Sequence, residues 1–189
     1  MYTQKLPIIL ASKSPRRHEL MQLMELDFKV ILKDVDETYP EGLLPADIAI
    51  YIAEKKAAAF EQERTDSLVI TADTIVAFNN EILGKPDDAH DAAGMLARLS
   101  GTNHQVYTGV SLAHGTKIYS FYDVTEVFFN TLTTEQIDHY IKNYNPLDKA
   151  GAYGIQDWIG FIAVEKIIGS YTNVMGLPTE KLYNALLSF

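Results

Sequence analysis

The stretch Ile8-Ile9-Leu10-Ala11-Ser12-Lys13-Ser14-Pro15-Arg16-Arg17-His18-Glu19-Leu20 constrains the chain more than any other. Its apolar start predicts a short buried strand, its middle a polar turn, and its end the first turn of a helix. Ser14 is a preferred N-cap, able to accept from an orphan backbone N–H, and Pro15 suits the first helical position, where no N–H is needed. Leu20, Leu23 and Met24 then recur at helical spacing. Two arginines therefore gather at the positive end of a helix dipole, beside backbone donors and two serine hydroxyls. Like charge at that end is unfavourable unless an anion offsets it, and a phosphate is the natural candidate. A solvated basic helix start is the alternative. Neither the Walker pattern nor the dinucleotide glycine fingerprint is present.

An acidic whole makes this basic turn more informative. The formal net charge of −9 argues against a broad nucleic-acid surface, yet leaves room for a small phosphorylated ligand in a local basic pocket. Without cysteine, disulfides, thiolate metal ligands and a cysteine nucleophile are excluded. The 189 residues suit one domain over 1–189, or two intimately joined lobes, with a substantial core. Met1-Tyr2-Thr3-Gln4-Lys5 lacks a signal-peptide apolar region, and no run approaches membrane-spanning length. The expectation is a cytoplasmic protein with no membrane partner.

Helices and strands alternate early in the chain. Phe28–Leu32 predicts a second strand running into the acidic turn Lys33–Glu37, and Pro45 opens a helix through about Gln62. Leu68–Ala72 reads as a buried strand with Asp73 at its carboxyl end. Ile75–Leu83 suits a hairpin around Asn79-Asn80, and a helix follows from about Asp88 to Leu99. Gln105–Ala113 and Lys117–Phe129 predict a second hairpin across His114-Gly115-Thr116. Thr133 and Gln136 match a capping box for a helix ending near Tyr144. A glycine-containing loop, a strand over Phe161–Ile168 and a final helix from Pro178 complete the chain. That helix presents Leu182, Ala185 and Leu186 to the core. The order predicts an α/β fold with a mixed sheet.

Ligands of open α/β sheets bind beyond strand carboxyl ends, which would set Asp73 and the Ser14–Arg17 turn facing one cleft. A carboxylate there can orient or deprotonate water, or hold a divalent metal; a simple cap is the alternative. Lys56 and Lys85 are candidate point charges for phosphate, against the plainer reading of solvated lysines. Asp36 and Glu37 offer hard oxygen ligands for a magnesium-like ion, or merely form an acidic turn. In Asp148-Lys149-Ala150-Gly151-Ala152-Tyr153-Gly154-Ile155-Gln156, the glycines permit close approach of backbone. Gln156 there offers a donor and an acceptor to a base edge. A surface amide on a turn is the alternative. His104 reads as a structural hydrogen-bonder, outside the catalytic set.

Taken in order, Ala11-Ser12-Lys13-Ser14-Pro15-Arg16-Arg17, Ala72-Asp73-Thr74-Ile75-Val76, Gly84-Lys85-Pro86, Leu99-Ser100-Gly101, the Asp148–Gln156 loop and Gly169-Ser170-Tyr171…Gly176-Leu177-Pro178 resemble the Maf family of nucleoside triphosphate pyrophosphatases. The resemblance spans essentially the whole chain. It implies an elongated, twisted mixed sheet with flanking helices and two lobes around a cleft, like the inosine-triphosphatase-type (Maf/Ham1) enzymes, often as a homodimer. It implies hydrolysis of a nucleoside triphosphate to its monophosphate and pyrophosphate with a divalent metal, Mg2+ or Mn2+. By motif position, Asp73 matches the family's proton acceptor, and Arg16, Thr74 and Gln156 match positions tied to base specificity. Ser12, Arg17, Lys56 and Lys85 match residues implicated in phosphate binding or catalysis, and Glu37 falls where the family has an acid near the metal.

The Arg16, Thr74 and Gln156 combination resembles the branch acting on dTTP and UTP, including modified pyrimidine nucleotides. Lys13 stands where a small residue is usual, and Gly84 where this branch often has Glu. The alternatives are the sister branch acting on 7-methyl-GTP and a nucleotide-binding regulator of cell division, as the family's name suggests. A phosphatase releasing orthophosphate is a third. A regulator needs the basic cradle but no water-activating Asp73.

Overall fold

The computed structural model describes residues 3–189. Met1 and Tyr2, part of the N-terminal stretch read above, lie outside the described residues. In chain order the elements are β1 (Ile8–Leu10), α1 (Pro15–Leu23), β2 (Phe28–Val30), α2 (Pro45–Ala58), β3 (Leu68–Phe78), β4 (Glu81–Leu83) and α3 (Ala89–Leu99). There follow β5 (Asn103–His114), β6 (Lys117–Phe129), α4 (Thr134–Tyr144), α5 (Trp158–Ala163), β7 (Val164–Ile168), α6 (Tyr171–Met175) and α7 (Thr179–Ser188). Short 3-10 turns occupy Glu63–Thr65, Pro146–Asp148 and Ala150–Ala152. The strands order as β2-β1-β3-β5-β6-β7, with β4 paired to β3. Parallel pairing of β1 with β2 and β3, and antiparallel pairing of β3 with β4 and β6 with β7, make the sheet mixed, as expected.

The chain divides into two compact units. The first comprises Met1–Asp73, Thr108–Asp123 and Gly176–Phe189. Here Ile8, Ile9 and Leu10 are all buried, because β1 is covered on both faces and flanked by parallel neighbours. Pro15 opens α1 as predicted, but the Ser14 side chain makes no capping bond. The Ser14 amide instead donates to Ser12 Oγ at 3.2 Å. The expected Leu20, Leu23 and Met24 stripe is also corrected. Leu20 and Met21 are buried while Leu23 is 72% exposed, because the helix stops at Leu23 and the chain reverses through Glu25 at φ 56°.

Other boundaries move for similar local reasons. β2 ends at Val30 rather than Leu32, since only three residues pair with β1. α2 ends at Ala58 rather than Gln62. The amides of Ala59 and Phe60 reach back only three residues, to Lys56 and Ala57, which tightens the last turn and buries Phe60 beside Ile9 and Val69. The largest correction concerns β3, which runs eleven residues and carries Asp73 in its interior, not at its carboxyl end. Thr74, Ile75 and Val76 are strand formers, and Val76–Phe78 pair with β4, so the strand has no cause to stop at Ala72. In α7, Leu182, Ala185 and Leu186 are buried as predicted.

The second unit comprises Thr74–Tyr107 and Val124–Met175. Asn79 and Asn80 turn the β3–β4 hairpin with φ of 50° and 66°, the paired positive values that a two-residue turn requires. Asp88 caps α3 by accepting from the Asp91 amide at 2.8 Å, and Thr133 with Gln136 forms the complete capping box of α4. The predicted strand over Phe161–Ile168 is corrected: Trp158–Ala163 is helical, and the strand begins at Val164. Ile159, Gly160 and Ala163 bury one face of that helix. The polar Val164-Glu165-Lys166 stretch begins the strand and bends it as expected, because the register slips there: Phe128 faces Lys166 and Phe129 faces Val164, which leaves Glu165 as the extra residue of a bulge.

Gly109 on β5 controls how α2 seats in the first unit. A Cβ there would lie 2.3 Å from the carbonyl carbon and oxygen of Ala49 and 2.5 Å from the Ile50 nitrogen, all helix backbone. Gly109→Ala is expected to lower unfolding free energy by about 1–3 kcal/mol, because helix backbone cannot yield as a side chain can. Urea unfolding checks this; an unchanged midpoint would show that α2 does not press on β5.

Candidate active site

The turn between β1 and α1 is built around Arg17. Its Nε donates to the Gly176 carbonyl at 2.8 Å, and its Nη1 to the Ala72 carbonyl at 2.9 Å and Ser12 Oγ at 3.3 Å. The rigid guanidinium fork ties the turn to β3 and to the segment leading into α7. His18, one turn along α1, meets the Ser12 carbonyl through Nε2 at 2.7 Å. Ser12 is buried and takes part in three of these contacts, so it shapes the turn as much as it could serve a ligand. Burial pulls the Arg17 guanidinium below its usual range and Arg16 pulls it further, while Asp73 and Glu37 oppose them. Lys13 reaches Asp34 at 3.2 Å, an exposed pair worth little.

Lys56 joins the two acidic candidates. Its Nζ lies 2.7 Å from Asp73 Oδ1 and 2.7 Å from Glu37 Oε1. The Lys56 and Asp73 side chains are only 15% and 13% exposed, whereas Glu37 is 46% exposed. α2 supplies the lysine, β3 the aspartate, and the chain after β2 the glutamate. Thr71 Oγ1 donates to the Ala53 carbonyl at 2.6 Å, which pins α2 to β3 three residues before Lys56. Asp73 is therefore not a turn cap. Asp36, the other acid of this turn, is engaged elsewhere: Thr38, then Lys55, hold its carboxyl well below the usual carboxylate range.

Arg16 stands half-buried in the first turn of α1, in the first unit, while Thr74, Lys85 and Gln156 belong to the second. Thr74 is the next residue of β3, half-buried; Lys85 is exposed on the connection from β4 to α3. Gln156 follows the two 3-10 turns and donates through Nε2 to Asp157 Oδ1 at 3.0 Å. Gly151 holds φ 67° there, with a Cβ position only 3.0 Å from Val76 Cγ2, so this loop turns where glycine is needed. Asp157 Oδ2 also accepts from the Tyr140 hydroxyl at 2.7 Å, and Lys149 Nζ lies 3.8 Å from it. Burial, then the Asp157 carboxylate, raise the Tyr140 hydroxyl far above the phenol range and keep it a donor. The structure thus groups Ser12 with Arg17 and Asp73 with Lys56 and Glu37, and sets Gln156 in a separate polar network. Tyr140, Lys149 and Asp157 escaped the sequence reading. Asp157 had a local signal, an acid just before a helix, whereas Tyr140 is sixteen residues away from Gln156 and had none.

Could these residues hold a divalent cation? Among the described residues no group of three or more His, Cys, Asp or Glu is arranged to bind a metal. Glu37 and Asp73 nonetheless converge on one ammonium. A pair of carboxylates completed by substrate oxygens and water is the usual way to bind Mg2+, so the donor set fits an ion that arrives with a phosphorylated ligand.

His104 supports the second unit rather than any chemistry. It is 2% exposed, meets the Tyr153 hydroxyl through Nε2 at 2.7 Å, and packs edge-on against Phe129 and Tyr153. Burial holds its pKa down to about 4. The unfolded chain thus takes up the proton first, near its ordinary 6.5, and stability falls as pH drops from there toward 4. Between pH 7 and 4, wild type should lose up to about 3 kcal/mol more than His104→Gln. Unfolding free energies of both proteins at the two pH values check this; parallel losses would show that His104 carries no such linkage.

The Maf-like protein family matches residues 7–189 of the chain. A dTTP/UTP pyrophosphatase of Flavobacterium johnsoniae is 50% identical over 184 residues, covering 97% of this chain and 95% of its own. Another dTTP/UTP pyrophosphatase, of Phocaeicola vulgatus, is 51% identical over 185 residues, covering 97% and 96%. Among solved structures, a HAM1 protein from Coxiella burnetii superposes with a TM-score of 0.51 at 15% identity, covering 98% of this chain and 100% of its own. The Staphylococcus aureus Ham1 protein gives 0.52 at 18%, covering 96% and 98%. At those identities the likeness is one of fold, and the mixed α/β sheet with flanking helices is the arrangement shared by Maf and Ham1 proteins. With a family match across nearly its full length and relatives at half identity, this chain belongs to the Maf family.

Proposed function

We propose that this chain is a nucleoside triphosphate pyrophosphatase that hydrolyses dTTP and UTP to the monophosphate and pyrophosphate. The single observation that carries the reaction type is Lys56 bridging Asp73 and Glu37, next in space to the charge of Arg17. The relatives named dTTP/UTP pyrophosphatase support the choice of base.

In this reading Asp73 orients a water and accepts its proton as the water oxygen bonds to the α-phosphorus. The bond from that phosphorus to the bridging oxygen breaks, and pyrophosphate leaves with the electron pair. Lys56 and Lys85 meet the growing charge on phosphate oxygens, while Ser12 and Arg17 fix the turn against which the phosphates lie. Glu37 and Asp73 would hold the divalent cation, Mg2+ or Mn2+, which when bound supplies further positive charge to the leaving pyrophosphate. Arg16, Thr74 and Gln156 read the base.

No helix among the described residues is long and apolar enough to cross a membrane. The proposed substrate is a free cytoplasmic nucleotide, handled by one Maf-like domain over 1–189.

Asp73→Asn is expected to cut pyrophosphate release at least about 100-fold while leaving nucleotide affinity within a few-fold. A panel of nucleoside triphosphates with Mg2+ or Mn2+, separating pyrophosphate from orthophosphate, measures both proteins. Near wild-type turnover in the variant would remove Asp73 as the base. Release mainly from 7-methyl-GTP would keep the mechanism and overturn the pyrimidine assignment. Orthophosphate as product, or binding without turnover, would overturn the reaction itself.

A further inference from the structure

Asp157 occupies an unusual position for its chemistry. It stands at the N-cap of α5 in extended backbone, where an aspartate normally accepts from its own helix, yet its side chain makes no capping bond. Its two oxygens are committed to the Gln156 network instead. Oδ1 accepts from Gln156 Nε2 at 3.0 Å, and Oδ2 accepts from the Tyr140 hydroxyl at 2.7 Å. The Tyr140 oxygen itself accepts from the Gly154 amide at 3.1 Å, so the phenolic proton points to Asp157. Lys149, 9% exposed, adds its charge at 3.8 Å while pairing with Asp148 at 2.7 Å.

This arrangement decides which end of the Gln156 amide faces away. A carboxylate only accepts, so the group turned toward Asp157 must be the NH2, and the oxygen must point elsewhere. That oxygen, Oε1, is buried and has no hydrogen-bond partner. A buried acceptor left unsatisfied costs stability, and a native chain tolerates it where a ligand completes it. Gly154 makes room for the lock. A Cβ there would lie 2.6 Å from Asp157 Oδ2 and 2.7 Å from Gln156 Nε2.

We propose that Asp157 is a positioning residue for base selection, holding the Gln156 carboxamide so that it offers the base an acceptor and no donor. Uracil and thymine carry a ring N–H that such an acceptor binds. Cytosine presents a lone pair at the same ring position and leaves two acceptors opposed. The selectivity thus lies in which way an amide is turned, and Asp157 sets that turn. This inference rests on the pyrimidine nucleotide reading above.

The test compares kcat/KM for UTP, dTTP and CTP in wild type, Asp157→Asn and Gly154→Ala, with thermal melting of each. Asparagine can turn its own NH2 toward Gln156 Oε1 and release the amide to present a donor. Gly154→Ala disturbs the same contacts without removing a polar atom. Wild type is expected to favour UTP over CTP by at least about tenfold, which is ~1.4 kcal/mol of discrimination. In both variants that ratio should fall about tenfold, with CTP losing less than UTP or gaining. A merely structural role would lower all three nucleotides together and leave the ratio unmoved, and that result overturns the proposal. Equal use of UTP and CTP by wild type overturns it as well, whether or not either variant folds. If wild type releases pyrophosphate from no nucleotide, the functional reading itself has failed. If it cleaves UTP selectively and the ratio survives both substitutions, only the role of Asp157 has failed.

Discussion

One ammonium group organises the acidic half of the candidate site. Lys56 stands 2.7 Å from both Asp73 and Glu37, so two carboxylates from separate elements share one positive charge. Without it the two would repel with only the Arg17 charge left nearby, and Asp73 is largely shielded from water. The same charge is what an incoming phosphate would compete for. In the proposed reaction, the group that stabilises the resting arrangement is also the one that substrate recruits.

That ammonium depends on where α2 lies. Thr71 bonds the Ala53 carbonyl, and Gly109 lets the backbone at Ala49 and Ile50 approach β5 more closely than any side chain would permit. The first lies within three residues of Asp73 and Lys56 and the second further back along α2, and together they fix where Lys56 stands relative to Asp73. Arg17 does comparable work across the turn, tying residues 12, 72 and 176 through one planar group. Polar contacts to backbone carbonyls are well suited to this, because the carbonyls are already fixed by the sheet and the loops.

The second unit shows the complementary device, a network that sets direction rather than charge. Tyr140 is fully buried and donates a hydrogen bond to Asp157, which also accepts from the Gln156 NH2. Each group in the chain has one sensible role because its neighbour has taken the other. Gly151 and the left-handed Ala152 at φ 59° give the loop the sharp turns this packing requires, and Gly154 leaves room for the Asp157 and Gln156 side chains.

Much of the architecture was legible in local pattern. The strand–turn–helix start, the Asn79-Asn80 hairpin, the Asp88 cap and the Thr133–Gln136 box all rest on interactions within a few residues, so the sequence carries them openly. Misread elements were those whose extent depends on partners. β3 continued past Asp73 because β4 pairs with its far end, and Trp158–Ala163 became helical where apolar content alone suggested a strand. Ser14 looked like a cap, but Ser12 captured its amide. By itself, then, the sequence determined the fold class and the family, because residue type and short-range spacing encode them. Only the tertiary structure decided that Lys56 joins Asp73 to Glu37 and that the Tyr140 hydroxyl meets Asp157 beside Gln156. Those contacts link elements whose separation along the chain leaves no periodic trace.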